Sequence, residues 1–251
     1  VSDLDSFTLT QAGRFFSWQG RFCQGSNYAI LRPQFFYSSE MIELTGDIPF
    51  LWRLSAESSE GYCSVSMVVP CPPDTEIKDL TIETSVLSLS SDSTRSEHEE
   101  TLEWNQEDIS LFLKLVNQKQ LSLNHTISDT VRVDLTDPEI IDIIHVVAAA
   151  GFGVAFNSYG LLKQSEGNFP VYTCEVGAAA SLNTVSGFKP CIVVDIEDDD
   201  VVCVLLDDID VQDVDEYDRL CRHDLLLVKR VDILHPEFAE NRTKPAGTLL
   251  H

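Results

Sequence analysis

The chain has 251 residues, with 17 Lys+Arg against 41 Asp+Glu, for a formal net charge of -24. Hydrophobic residues make up 43%, too many for a disordered chain, and no apolar run approaches the ~18 residues of a membrane span. Collagen, coiled coil and a small disulfide-stapled domain are excluded by composition. A surface this acidic repels nucleic acid and anionic lipid, which weighs against direct roles on DNA, RNA or a membrane surface.

The chain opens on Val1-Ser2-Asp3-Leu4, with no initiating Met, no basic n-region and no signal-like apolar run. This fits a product processed from a larger precursor and equally a trimmed segment of a longer chain, and residues 1–27 read as an extended N-terminal arm. Residues 28–37 are rich in aromatic and aliphatic side chains, and Pro33 inside them marks an edge strand or bend. A short apolar strand follows Gly46-Asp47 over 48–54. Another runs over 62–69 and stops at Pro70-Cys71-Pro72-Pro73. The clearest strand spans 80–86, where Leu80, Ile82, Thr84 and Val86 share one face at period two. The Ser-rich, acidic run 88–100 reads as a solvated loop.

A helix then starts at Asn105, which can cap it. Glu107 and Asp108 suit its first turn, and Ile109, Phe112, Leu113 and Val116 form its apolar stripe. Residues 121–135 return to strand character, clearest in 130–135. Thr136-Asp137-Pro138-Glu139 fits a capping box with proline in the first turn of a second helix. That helix carries Ile140, Ile141, Ile144, Val147 and Ala148 and is expected to stop at Gly151. Strands are expected over 152–156 and 170–176, joined by the polar loop 163–168. Residues 191–196 and 201–206 predict a hairpin with Glu197-Asp198-Asp199-Asp200 as its four-residue turn. A late strand over 225–234 ends before Pro236, and 237–251 reads as a C-terminal tail. Many short strands and two short helices, without strand–helix alternation, predict a mainly β fold. The expected architecture is an antiparallel sandwich or jelly-roll-like barrel occupying a single domain over 28–236.

The seven cysteines are Cys23, Cys63, Cys71, Cys174, Cys191, Cys203 and Cys221. Their number is odd and no CxxC pair occurs, so zinc ligation lacks its usual spacing; Cys221 with His223 stands alone. Several lie in apolar strands, which predicts reduced, buried thiols in a cytosolic setting. The stretch 195–218 holds twelve acidic residues: Asp195, Glu197, Asp198, Asp199, Asp200, Asp207, Asp208, Asp210, Asp213, Asp215, Glu216 and Asp218. Oxygen ligands at this density could hold Ca²⁺, but the central glycine of a calcium loop is absent, so a solvated turn and outward strand face are expected. His145 with Cys174 or Cys191 could act as a thiol protease pair. No local signature marks them, and a satisfied core histidine is the expectation.

The patterns G-x-S-x-G, G-x-G-x-x-G, the P-loop and H-E-x-x-H are all absent. Aromatics near the start (Phe7, Phe15, Phe16, Trp18, Phe22, Tyr28, Phe35, Phe36, Tyr37, Phe50, Trp52), interleaved with Arg14, Arg21, Arg32 and Arg53, could stack single-stranded nucleic acid. A core plus a docking arm is the simpler reading. No catalytic, cofactor-binding or metal residue is assigned, and no cofactor is expected.

In size and layout, a β-rich body with extended ends resembles a capsid subunit of a small icosahedral virus, in the jelly-roll class. The resemblance implies a non-enzymatic, self-assembling protein of the virion and host cytoplasm. It would contact copies of itself or related subunits through both arms, meet no membrane, and touch nucleic acid at most indirectly. Two alternatives stand beside it. One is a hydrolase or protease with an unrecognised Cys/His site. The other is an acidic cytosolic adaptor that binds basic partners through 195–218.

Overall fold

The computed structural model of the protein describes residues 10–11, 14–15, 41–44, 50–59, 61–70, 79–89, 98–122, 131–163, 172–210 and 219–240. The fold is mainly β with antiparallel sheets. Near the start, β1 (Thr10–Gln11) pairs with β2 (Arg14–Phe15), and β3 (Met41–Leu44) follows. The expected strand over 28–37 lies outside the described residues.

A first sheet comprises β4 (Leu51–Leu54), β5 (Tyr62–Val69), β6 (Leu80–Leu89) and β7 (Glu100–Glu103), in the antiparallel order β6-β5-β4-β7. β5 has the bounds its sequence predicts. On β6 the predicted alternation holds: Thr81, Glu83 and Ser85 are exposed, whereas the residues between them turn inward. Two edges of the expected loop 88–100 need correcting. Ser88 continues β6, and Glu100 opens β7, where it pairs with Leu54. Pairing with β4 recruits a polar segment that has no strand pattern of its own.

α1 (Gln106–Ser122) begins as predicted, with the Asn105 side-chain oxygen accepting from the backbone N–H of Glu107 and of Asp108, both at 2.8 Å. Asp108 returns the bond, accepting from the Asn105 N–H at 3.1 Å. The reciprocal capping box therefore sits here. The helix runs on through Leu121 and Ser122, so the strand expected from 121 starts only at β8 (Val131–Asp134), which pairs with β3.

α2 (Pro138–Phe152) is capped by Asp137, whose carboxylate accepts from the Glu139 N–H at 2.9 Å. Thr136 is not the cap; its hydroxyl donates to Asp134 at 2.6 Å. Glu139 reaches not back to the cap but to Lys119 at 3.1 Å, and Lys119 also pairs with Asp137, tying the end of α1 to the start of α2. Gly151 stays inside α2, and Gly153 terminates it, donating to the Ala149 carbonyl at 2.8 Å. A Cβ on Gly151 would stand 3.3 Å from an Asp108 oxygen, so the bare glycine lets the two helices approach.

The second sheet is built from β9 (Ala155–Asn157), β10 (Ala179–Thr184), β11 (Gly187–Glu197), β12 (Asp200–Leu205), β15 (Leu225–Lys229) and β16 (Ile233–Leu234), in the order β16-β10-β11-β12-β15-β9. Only β9 runs parallel to its neighbour, β15, among these described strands. β13 (Ile209–Asp210) and β14 (Arg219–Leu220) form a small separate pair. The predicted β11–β12 hairpin is present, but its turn has two residues rather than four, because Glu197 and Asp200 pair and extend the strands. Asp198 takes φ +52 there, a left-handed conformation that aspartate tolerates.

Several expectations change in this half. Phe152 belongs to α2, and the strand after it is Ala155–Asn157. Residues 172–175 carry no strand, and 176–177 form a turn. The hairpin β10–β11 has no sequence signature that set it apart. The late strand 225–234 is broken by a 3-10 turn at Arg230–Asp232, which moves the chain from β12 to the far edge beside β10. The tail opens with a short helix, α3 (Glu237–Glu240).

The two long helices, of 17 and 15 residues, are not short accessories to a sandwich. One core joins Trp52 and Met67 of the first sheet, Phe112 and Val116 of α1, Ile144 and Val147 of α2, and Ile192, Val194 and Val204 of the second sheet. α2 thus packs against both sheets. Within that core Trp52 stacks on Trp104 with centroids 4.8 Å apart, and Phe152 meets Trp52 edge-on at 5.5 Å. The Trp52 indole N–H donates to buried Asp108 at 3.1 Å. The other face of the second sheet holds a separate core with Cys191, Val193, Cys203, Leu205, Leu226 and Cys174.

Ile144 is fully buried between the sheets. Ile144→Ala is expected to destabilise the protein by about 2–5 kcal/mol, read as a lower urea midpoint at unchanged m-value.

Candidate functional site

The polar group with the most convergent geometry lies where the three layers meet. The register of β5 against β6 shifts between Ser64, opposite Leu87, and Ser66, opposite Glu83. Thr84, Ser85 and Val86 therefore bulge out against Val65 alone. The Thr84 hydroxyl supports the bulge, donating to the Val65 carbonyl at 2.8 Å and accepting from the Val86 N–H at 3.2 Å. Bulges re-aim side chains, and this one turns Ser85 toward α2. The Ser85 N–H donates to His145 Nδ1 at 3.3 Å, and its hydroxyl lies 3.1 Å from the same nitrogen.

His145 and Asp142 stand three residues apart on α2, and so on neighbouring positions of one helix face. The third contributor is the turn before β15. Its backbone is fixed by bonds from His223 N–H to the Leu205 carbonyl (2.8 Å) and from Leu205 N–H to the Asp224 carbonyl (2.9 Å). The Asp224 carboxylate also accepts from the Cys221 N–H at 2.8 Å. Held this way, His223 adopts φ +72, an uncommon conformation that persists only where surroundings enforce it. Its Nδ1 lies 3.2 Å from the Ser85 hydroxyl and its Nε2 lies 2.8 Å from Asp142. Arg222 forks onto both Asp142 oxygens at 3.1 and 2.7 Å, a charge-assisted bidentate pair. The two imidazole centroids are 4.7 Å apart.

Burial opposes the Asp142 charge, but hydrogen bonds from His223 and Arg222 and their positive charge outweigh it, holding its carboxyl down at about 2. His145 is pushed down to about 4, first by burial and then by the charge of His223 and Arg222, against the pull of Asp142. Its Nδ1 faces a backbone N–H, so the neutral ring carries its proton on Nε2.

Ser85, His223 and Asp142 follow the order hydroxyl, imidazole, carboxylate of an activated nucleophile. Acyl transfer also needs N–H donors aimed at a developing oxyanion. The Ser85 N–H is already given to His145, and the hydroxyl is shared between two rings. What the arrangement does directly is fasten β6, α2 and the β15 turn to one another.

The residues singled out from sequence are placed differently from the protease reading. Cys174 and Cys191 lie with Cys203 in the core on the far face of the second sheet, whereas His145 faces Ser85 and His223 on the α2 side. The sheet separates thiols from imidazole. Burial raises the Cys174 thiol, and a hydrogen bond with Cys191, then burial, raises Cys203 well above the usual thiol range, the reverse of an activated thiolate. Cys63, Cys174, Cys191 and Cys203 are buried free thiols and Cys221 is a half-buried one, in line with the reduced-thiol reading. Cys23 and Cys71 lie outside the described residues.

In the acidic stretch, carboxylates take individual partners. Asp200 pairs with Lys229 at 2.6 Å, Asp207 with Lys189 at 2.8 Å, and Asp208 with Arg219. Asp195 accepts from the Ile196 N–H at 2.8 Å. Glu197, Asp198 and Asp199 are exposed around the hairpin turn. Asp213, Asp215, Glu216 and Asp218 lie outside the described residues. Among the described residues no three His, Cys, Asp or Glu side chains are grouped to hold a metal. Of the aromatic run near the start, Phe50 and Trp52 are core residues; no other side chain of that run is described.

Sequence reading flagged His145 and His223 separately but gave no signal for Ser85, whose direction depends on a bulge, or for Asp142. No protein-family model matches the chain, and no curated protein matches it.

His145 binds its proton more weakly in the folded protein than in the unfolded chain. Its contribution is therefore intact above its ordinary value of 6.5 and is lost as pH falls toward about 4, a total of roughly 3 kcal/mol. Asp142 adds a further loss only below 3.8. Urea midpoints measured from pH 7.5 to 4 should fall across this window, and His145→Asn should flatten the decline.

Proposed function

We propose that the chain is a non-enzymatic interaction protein whose acidic surface receives basic partners. The observation that carries this reading is the β11–β12 turn. Glu197, Asp198 and Asp199 are exposed at the tip of a hairpin whose strands are anchored in two cores. A rigid, negatively charged projection on a chain of net charge -24 steers cationic segments toward it and disfavours anionic ones. The Ser85 group supports the same reading, since its hydrogen bonds are spent on joining layers.

The reading as a self-assembling capsid subunit is second. It draws on the mainly β body and on Tyr159 and Val231, which are 89% and 84% exposed and open to a second copy. The hairpin-built sheets and the helix between them lend jelly-roll connectivity no support.

Binding of a fluorescent Lys/Arg-rich peptide tests the first reading. The affinity should weaken with salt. The triple variant Glu197→Gln, Asp198→Asn, Asp199→Asn should weaken it about tenfold, as three exposed charge pairs of about 0.5 kcal/mol each would. Binding that responds neither to salt nor to the triple variant would count against this role. Light scattering separates the two readings: a species of 28.0 kDa fits the interaction protein, and a many-copy particle fits the shell subunit.

A further inference from the structure

One hydrogen-bonded chain crosses three layers, from His145 on α2 to Ser85 on β6, on to His223 before β15, and back to Asp142 on α2, which Arg222 also holds. We propose that this chain is a proton-operated latch: a proton added to His145 releases β6 from α2, while α2 stays seated on the second sheet.

β6 is the outer strand of its sheet, and the bulge takes Ser85 out of register with β5 and toward α2, which offers an acceptor for its N–H. His145 Nδ1 is that acceptor, at 3.3 Å, and it accepts only while unprotonated. A proton there sets N–H against N–H. It also places a positive ring 4.7 Å from His223 and close to Arg222. Asp142 is the carboxylate that faces His145, and its two oxygens already take Arg222 and His223. Asp208 faces the same turn from the other side and holds it by accepting from the Arg222 N–H at 2.8 Å. The charge added on His145 therefore meets the Arg222 guanidinium, the neighbouring His223 ring and a carboxylate already engaged. The burial that pushes His145 down is relieved once the ring reaches water.

The weaker link decides which side opens. The bonds from Ser85 to the rings are neutral and 3.1 to 3.3 Å long. The bonds tying Asp142 to Arg222 and His223 are charge-assisted and as short as 2.7 and 2.8 Å. The second link survives, so α2 keeps the second sheet and β6 leaves. Release bares the unpaired ladder groups of an edge strand, which are templates for pairing with another chain. The device would thus couple acidification to exposure of a new binding edge.

Hydrogen exchange of the whole chain, followed by mass spectrometry from pH 7.5 to 5 and corrected for the intrinsic pH dependence of exchange, tests this. Peptides covering β6 should lose protection about tenfold or more, while those covering β11 and β12 keep theirs. His145→Asn places a non-titrating amide oxygen near the position of Nδ1, and it should hold β6 protected throughout. Loss of protection in β6 and in β11–β12 together would overturn the proposal, as would an acid response unchanged in His145→Asn. If that variant does not fold, imidazole NMR of the unmodified protein decides. Protonation of His145 should coincide with β6 opening, and a protonated His145 beside a still-protected β6 would sink the idea.

Discussion

Burial of helix α2 against both sheets is the constraint on which the remaining structure depends. Its residues Ile144, Val147, Ala148 and Ala149 are fully buried, so it must have apolar partners on more than one side. The first sheet and α1 supply some of them, and Ile192, Val194 and Val204 of the second sheet supply others. A helix of this kind cannot be moved without opening the core that both sheets share. It also brings polar side chains into the seam, because a 15-residue helix cannot be apolar at every position and still begin and end in water.

Asp142 and His145 are the polar residues of α2 that reach that seam, and each finds partners from a different sheet. Asp142 is satisfied by Arg222 and His223 of the second sheet's turn. His145 is satisfied by Ser85 of the first sheet's outer strand. Buried polar groups that lack partners cost more than the bonds they make contribute, which makes the seam specific. It also makes the seam sensitive to protons, since one of its acceptors is an imidazole. The same physics applies at the aromatic end of the core. There Asp108 accepts from both the Trp52 indole and the Asn105 backbone, combining the start of α1 with the packing of β4.

The second sheet carries a different load. Its far core collects Cys174, Cys191 and Cys203 as small apolar side chains. Its β11–β12 turn projects carboxylates into water while nearby strand positions are anchored on both faces. Charge is thus concentrated at strand ends and turns, where solvation is free, and the sheet interior stays apolar.

The sequence by itself determined what local patterning can carry. Period two on 80–86 marked the inward and outward faces of β6, and four acidic residues between two apolar runs marked the β11–β12 hairpin. Asn105 and the Asp137-Pro138 start marked both long helices, although the reciprocal capping box fell at Asn105 and Asp108 rather than at Thr136 and Glu139. Tertiary pairing decided the rest. β7 is polar and becomes a strand because β4 receives it, and 225–234 breaks at Val231 because its two halves pair with β12 and β10, on opposite sides of β11. The polar seam was decided at this level too. Ser85, Asp142, His145 and His223 lie on three separate elements, and a β-bulge and a left-handed turn residue aim two of them. Spacing along a chain records neighbours on one helix or strand, but it cannot record which faces of distant elements are pressed together by the burial of a shared core.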